Sequence, residues 1–131
     1  MQISFLCTKV NTLFYNDSHG SIAYIDSFLE AQNNFYKNNQ QTTNLTLSGG
    51  DVFITTNPHN EKIAKKLCTK TDAIGLGNHD IEGGEHLSQL IQKYALKGKM
   101  LASNLFFKKD CQMEKEISPS TIIEKMVKNL V

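Results

Sequence analysis

The stretch TDAIGLGNHD, residues 71–80, joins an apolar run of β-strand character to a glycine and a cluster of polar side chains. Two earlier stretches have the same form, namely LFYNDSHG at residues 13–20 and LTLSGGD at residues 45–51. Helical periodicity fills the intervals between them, because apolar residues recur every three or four positions in residues 22–36 and 60–70. This alternation predicts parallel strands that are joined by helical crossovers.

The region after the third strand extends the same pattern. An amphipathic helix follows the glycines at 83–84, and we expect Gly98 to cap its end. A fourth strand is predicted over residues 100–105. The fold class is therefore α/β, with layered β-α-β-α-β-α-β order. For residues 119–131 the apolar positions fit either a helix or a strand, and the sequence does not decide between them.

Length and composition limit the classes of protein that this chain represents. Its 131 residues allow one domain with a real core, and we place that domain at residues 12–131, after an N-terminal extension of residues 1–11. A net charge of +1 gives no field that recruits nucleic acid polymers or acidic membranes. No apolar run approaches the roughly 20 residues of a membrane span. The apolar stretch at residues 3–7 is short for a signal peptide, so we expect a cytoplasmic protein.

Polar residues suited to metal binding follow three of the predicted strands. Asp17 and His19 follow the first strand, Asp51 follows the second, and Asn78 and His79 follow the third. Ligands gather outside the carboxyl ends of the strands in open α/β sheets, so these side chains are predicted to share one site. Their carboxylate, imidazole and amide groups suit hard or borderline divalent ions such as manganese, zinc, iron or magnesium.

The spacing of these residues suggests a site for two metal ions. Asp17 and His19 lie two apart across a tight turn and can reach the same ion. Asp51 has two carboxylate oxygens and can bridge that ion to a second one about 3.5–4 Å away, the separation that two-metal sites use. Asn78 is predicted to bind the second ion. His79 remains free to act as a general acid or to stabilise charge on phosphoryl oxygens.

Four stretches together carry a specific resemblance to a known family. LFYNDSHG, LTLSGGDVF, TDAIGLGNHD and LASNL occur in this order between residues 13 and 105. They resemble the N-terminal half of the metallophosphatase domain of the 5′-nucleotidase / 2′,3′-cyclic-nucleotide phosphodiesterase family, within the calcineurin-like metallophosphoesterase superfamily. The resemblance implies hydrolysis of nucleotides or related phosphomonoesters and diesters, with two divalent metal ions as cofactors. It places Asp17 and His19 on one ion, Asp51 between the ions and Asn78 on the second.

The resemblance also implies a catalytic pair. His79 corresponds to the catalytic histidine beside the transferred phosphoryl group. A carboxylate three residues later usually completes the pair as Asp, and here that residue is Glu82, which is one methylene longer. Asp80, between them, is expected to be a loop carboxylate without metal contact.

The chain departs from the family pattern at its C-terminal end. The family's later metal-binding histidines and its separate nucleoside-binding domain have no counterpart in these 131 residues. The alternative reading is a truncated, non-catalytic module that acts as a binding partner, or half of a split enzyme whose second chain supplies the missing half. With this incomplete ligand set, we expect weak metal affinity and little or no hydrolysis by the isolated chain.

Overall fold

The computed structural model describes residues 9–108 and 111–125. Residues 1–8, most of the predicted extension, and residues 126–131, the end of the predicted tail, lie outside the described residues. Within the described ranges, strands and helices alternate along the chain, except that two helices, α3 and α4, follow β3. Their bounds are β1 Val10–Tyr15, α1 Ile22–Asn38, β2 Thr43–Ser48, α2 Asn60–Leu67, β3 Ala73–Gly75, α3 Asn78–Glu82, α4 Gly84–Lys93, β4 Met100–Leu101 and a 3₁₀ helix at Gln112–Lys115.

The four strands form one parallel sheet in the order β1-β2-β3-β4. Tyr15 of β1 pairs with Ser48 of β2, and Gly75 of β3 pairs with Leu101 of β4. Each crossover moves one strand in the same direction, and right-handed crossovers therefore place α1, α2 and α4 on one face of the sheet. The predicted α/β class with parallel strands is confirmed.

The hydrophobic core lies between the sheet and this helical layer. Ile25 of α1, Ile63 of α2 and Ile91 of α4 are fully buried. They belong to one apolar cluster with Tyr15 of β1 and Ile74 of β3. The apolar spacing in the sequence thus directs one face of each of these three helices toward the sheet, and removal of this surface from water stabilises the fold.

The opposite face of the sheet has no helix packed on it among the described residues. Successive side chains of a strand alternate between faces, so Val10 and Phe14 point away from the side that holds Tyr15. Val10 is 51% exposed and Phe14 is 62% exposed. Leu45 and Leu47 pair with residues of this side of β1 and are only partly buried. Among the described residues, this face of β1 and β2 is therefore largely apolar and exposed.

The end of α4 differs from the sequence-based expectation. The helix ends at Lys93, five residues before Gly98. Ala95 adopts a left-handed backbone with φ of 52°, and the Leu96 amide donates a hydrogen bond to the Ile91 carbonyl at 3.0 Å. These features define a Schellman motif centred on Ala95. The prediction that Gly98 caps this helix is wrong.

The segment after β4 is less regular than the sequence predicts. The fourth strand covers only Met100–Leu101, although residues 100–105 were expected to be extended. Leu101 then forms an isolated parallel bridge with Ser118, so a single residue extends the sheet beyond β4. Residues 119–125 adopt neither of the two regular structures considered for the tail.

Two further properties concern the described part of the chain. Cys68 and Cys111 are free thiols, while Cys7 lies outside the described residues. Within residues 9–108 and 111–125, every helix falls short of the length and apolar character that crossing a membrane requires.

Replacing Ile74 tests where the core lies. Ile74 is 0% exposed in the central strand β3, whereas Ile122 is 89% exposed in the C-terminal segment. We expect Ile74→Ala to lower the free energy of unfolding by about 2–5 kcal/mol, because it removes buried methyl groups and leaves a cavity. Ile122→Ala makes the same chemical change at the surface and should shift it by less than about 0.5 kcal/mol. Urea unfolding followed by circular dichroism measures both, and equal losses would contradict this packing.

Candidate metal centre

The candidate site lies where β1 and β2 end, in two loops that run side by side. Three backbone hydrogen bonds of 2.9–3.0 Å connect the loops. The donors are the amides of Asp17, His19 and Gly20, and the acceptors are the carbonyls of Gly50, Asp51 and Val52, in that order. This ladder brings the polar side chains that follow the two strands to one edge of the sheet.

Three of the predicted ligands have a left-handed backbone conformation. The φ angles are 52° for Asp17, 44° for His19 and 51° for Asp51. Among the other non-glycine residues that the structure describes, only Ala95 has a positive φ. Residues other than glycine rarely adopt this backbone region. Such strain persists where surrounding contacts hold the backbone, often at functional sites. The ladder between the loops provides that restraint here.

Asp17, His19 and Asp51 converge as the sequence predicts. Each offers a ligand atom, and these atoms all lie within 4.8 Å of one another. Nε2 of His19 is 3.6 Å from Oδ1 of Asp17. The side-chain amide of Asn16 donates a hydrogen bond to the other oxygen of that carboxylate. Two carboxylates and one imidazole at this spacing fit a borderline divalent ion.

The loop after β3 adds His79 to the same edge. Its backbone amide donates to Oδ1 of Asp51 at 3.0 Å, and its ring centroid lies 4.9 Å from that of His19. Nδ1 of His79 is 3.1 Å from Oε2 of Glu82. Because a carboxylate only accepts, Nδ1 carries the proton and Nε2 remains for another partner. Asn78 precedes His79 and is exposed at the start of α3, and its binding of a second ion stays a prediction.

Asp80 lies in a helix and is buried, unlike the loop carboxylate that the sequence predicts. It is 0% exposed and lies within α3, so its placement in a loop is wrong. Oδ1 accepts hydrogen bonds from the amides of Val52 and Phe53, and Oδ2 accepts from those of Asp51 and Gly77. Burial raises the pKa of Asp80, and the four donors oppose that rise. The available signal was its position three residues after Gly77, where an acidic side chain caps a helix.

Two glycines allow the loops after β2 and β3 to approach closely. A Cβ on Gly77 would lie 2.0 Å from Oδ1 of Asp51. Gly50 has a φ of 110°, and a Cβ there would lie 2.5 Å from the backbone nitrogen of Gly77. Glycine alone fits both requirements at Gly50, because it lacks the Cβ and tolerates positive φ.

Comparison with known proteins places the whole site inside one family match. The model of the family described as calcineurin-like phosphoesterase matches residues 10–121. No curated protein and no solved structure matches the chain. The matched range runs from β1 to residue 121, and it contains every residue of the candidate site.

Adding one methyl group at Gly77 tests the contact between the loops. In Gly77→Ala the new Cβ would overlap Oδ1 of Asp51, so that side chain must move away from the His79 amide. We expect the free energy of unfolding to fall by about 1–3 kcal/mol and the His79 amide resonance to shift. Gly75→Ala is the matched control, because its nearest contact would be 3.4 Å. Urea unfolding and ¹H–¹⁵N spectra measure both changes, and indistinguishable variants would contradict the contact.

Proposed function

We propose that this chain, which belongs to the calcineurin-like phosphoesterase family, is a metal-dependent phosphoric ester hydrolase of the 5′-nucleotidase type. The observation that carries the proposal is the convergence of Asp17, His19 and Asp51 within 4.8 Å. Family membership supports metal-dependent hydrolysis of phosphate esters in general. The narrower substrate class, nucleotides or related monoesters and diesters, rests on the sequence resemblance of four stretches.

Two divalent ions are the proposed cofactors, with manganese, zinc, iron and magnesium as candidates. Asp17 and His19 would hold the first ion, Asp51 would bridge, and Asn78 would hold the second. When bound, such ions activate water and neutralise charge on the phosphoryl group. These 131 residues contain no arginine, so no guanidinium of this chain can bind phosphate in a bidentate way. Among the described residues of the site, a hydrogen bond from His79 would add to the stabilisation that the ions supply.

His79 is the proposed catalytic residue. Nδ1–H of His79 donates a hydrogen bond to Glu82, which orients the ring. When the imidazole is protonated at both nitrogens, Nε2–H would donate a hydrogen bond or a proton to an oxygen of the ester. The hydrogen bond from the backbone amide of His79 to Asp51 keeps the histidine beside the candidate metal ligands. The distance of 3.1 Å between Nδ1 and Oε2 is compatible with Glu82 replacing the usual aspartate.

A second candidate function is that of a module completed by a partner chain. The apolar face of β1 and β2, which is exposed among the described residues, favours it, because exposed apolar surface often marks an interaction site. Val10 and Phe14 contribute to that face. Light scattering over a concentration series measures the oligomeric state, and calorimetric titration of manganese measures metal binding. Together they separate the two candidates. A monomer that binds the metal supports the first, and metal binding that appears only on association supports the second.

The bridging role of Asp51 gives a calorimetric prediction. Asp51→Asn keeps an oxygen for the His79 amide but removes the negative charge between the two ions. We expect manganese titration to show at least a tenfold weaker affinity and the loss of one bound ion. Glu61→Gln is the control, because Glu61 is an exposed carboxylate paired with Lys93 on the outside of α2. An isotherm unchanged by Asp51→Asn would contradict the bridging assignment.

The catalytic role of His79 gives a kinetic prediction. The four proposed ligands are too few to complete the coordination of two ions, so we expect little or no hydrolysis of p-nitrophenyl phosphate, bis-p-nitrophenyl phosphate and AMP even in excess manganese. Any manganese-dependent turnover should fall by about 10²–10⁴-fold in His79→Asn, the range for loss of a general acid. His86→Asn, which changes a histidine outside the cluster, should leave turnover unchanged. Robust turnover that survives His79→Asn would contradict the proposed role.

A further inference from the structure

We infer that Asp80 is a positioning residue that sets the metal affinity of the site without itself binding metal. The inference rests on the proposed function, because it concerns how Asp51 and His79 are presented to an ion. It assigns a role to a buried carboxylate that the proposed chemistry does not otherwise use.

The contacts of Asp80 join two separate elements at the site. Its Oδ1 accepts from the amides of Val52 at 3.0 Å and Phe53 at 2.7 Å. Its Oδ2 accepts from the amide of Asp51 at 2.8 Å and from that of Gly77 at 2.9 Å. Three of these donors lie in the loop after β2, and the fourth lies at the start of α3. One side chain thus fixes the loop to the helix.

A closed circuit of hydrogen bonds links Asp80 to the proposed bridging residue. Asp80 accepts from the backbone amide of Asp51, and the Asp51 carboxylate accepts from the backbone amide of His79 at 3.0 Å. His79 and Asp80 are consecutive in the chain, which closes the circuit. Neither the loop nor α3 can shift without breaking one of these bonds. Asp51 needs this restraint, because residues other than glycine rarely adopt a φ such as its 51°.

The carboxylate group is specifically required for this arrangement. Each oxygen of Asp80 accepts two N–H groups, so all four acceptor positions point at donors. An asparagine in the same place would direct its own N–H groups at two backbone N–H groups, whichever way its amide faced. Asp80 is 0% exposed, so water cannot readily replace the lost acceptors. Asp80→Asn should therefore release either the Val52–Phe53 side or the Asp51–Gly77 side of the circuit.

A positioning role and a merely structural role differ in what they predict for metal affinity. If Asp80 only stabilises the fold, a variant that remains folded binds metal as the wild type does. If Asp80 positions Asp51 and His79, the folded variant binds metal more weakly. Loss of a group that orients a metal ligand typically weakens metal binding by about 10–100-fold.

The experiment compares Asp80→Asn with Leu67→Ala by calorimetric titration of manganese into the full chain. Leu67 is fully buried in α2, and it makes none of the hydrogen bonds of the circuit, so its truncation lowers stability without removing one of those bonds. At a temperature where both variants are folded, we expect Asp80→Asn to raise the dissociation constant at least tenfold and Leu67→Ala to change it less than twofold. Equal dissociation constants for Asp80→Asn and the wild type would overturn the inference while leaving the proposed function intact. Absence of manganese binding by the wild type would instead overturn the proposed function.

Hydrogen exchange on the wild-type chain tests the inference if Asp80→Asn does not fold. Coupling is reciprocal, so a circuit that favours metal binding must itself be stabilised by the metal. We expect saturating manganese to slow amide exchange at residues 51–53 and 77 by a larger factor than at residues 63–67 of α2, as read by mass spectrometry. Equal slowing in both regions, or slowing confined to α2, would overturn the inference.

Discussion

The backbone ladder between the loop after β1 and the loop after β2 is the constraint on which the candidate site depends. Asp17, His19 and Asp51 each have a left-handed backbone, which opposes folding by on the order of 1 kcal/mol per residue. A typical hydrogen bond contributes a similar amount in net terms. Three ladder bonds and the amides held by Asp80 therefore offset this strain, and the ligand geometry lasts only while these backbone bonds are intact.

Asp51 shows how the same bonds prepare the site for an ion. One of its carboxylate oxygens accepts from the His79 amide, which orients the carboxylate. Its backbone amide and carbonyl are both engaged, the first by Asp80 and the second by His19. A residue fixed at this many points has little freedom left to lose when a ligand binds, and such preorganisation favours binding. Strain at the strand ends is in this sense part of the proposed chemistry.

The sequence predicts well the features that depend on local order. Apolar runs of β-strand character indicated the strands, and a period of three to four residues indicated the helices. Parallel topology then required the polar residues after β1 and β2 to meet at one edge. Asp80 could not be recognised in this way, since its partners Val52 and Phe53 lie 28 and 27 residues away. The cap at Ala95 was also missed, because local chemistry favours glycine at Gly98 while the last buried residue of α4, Ile91, sets where the helix ends. Contacts distant along the chain decided the case of Asp80, whereas the cap at Ala95 is a local motif.

Paramagnetic broadening of ¹H–¹⁵N spectra by substoichiometric manganese tests the central claim most directly. The effect falls steeply with distance from the ion and reports its position without requiring turnover. If the strand-end loops form the metal centre, the amides of residues 17–19, 51 and 78–79 lose intensity first, and those of α2 keep theirs. Broadening centred on other acidic groups, such as Glu61 on α2, or spread evenly over the surface would contradict the assignment of a metal centre to this edge of the sheet.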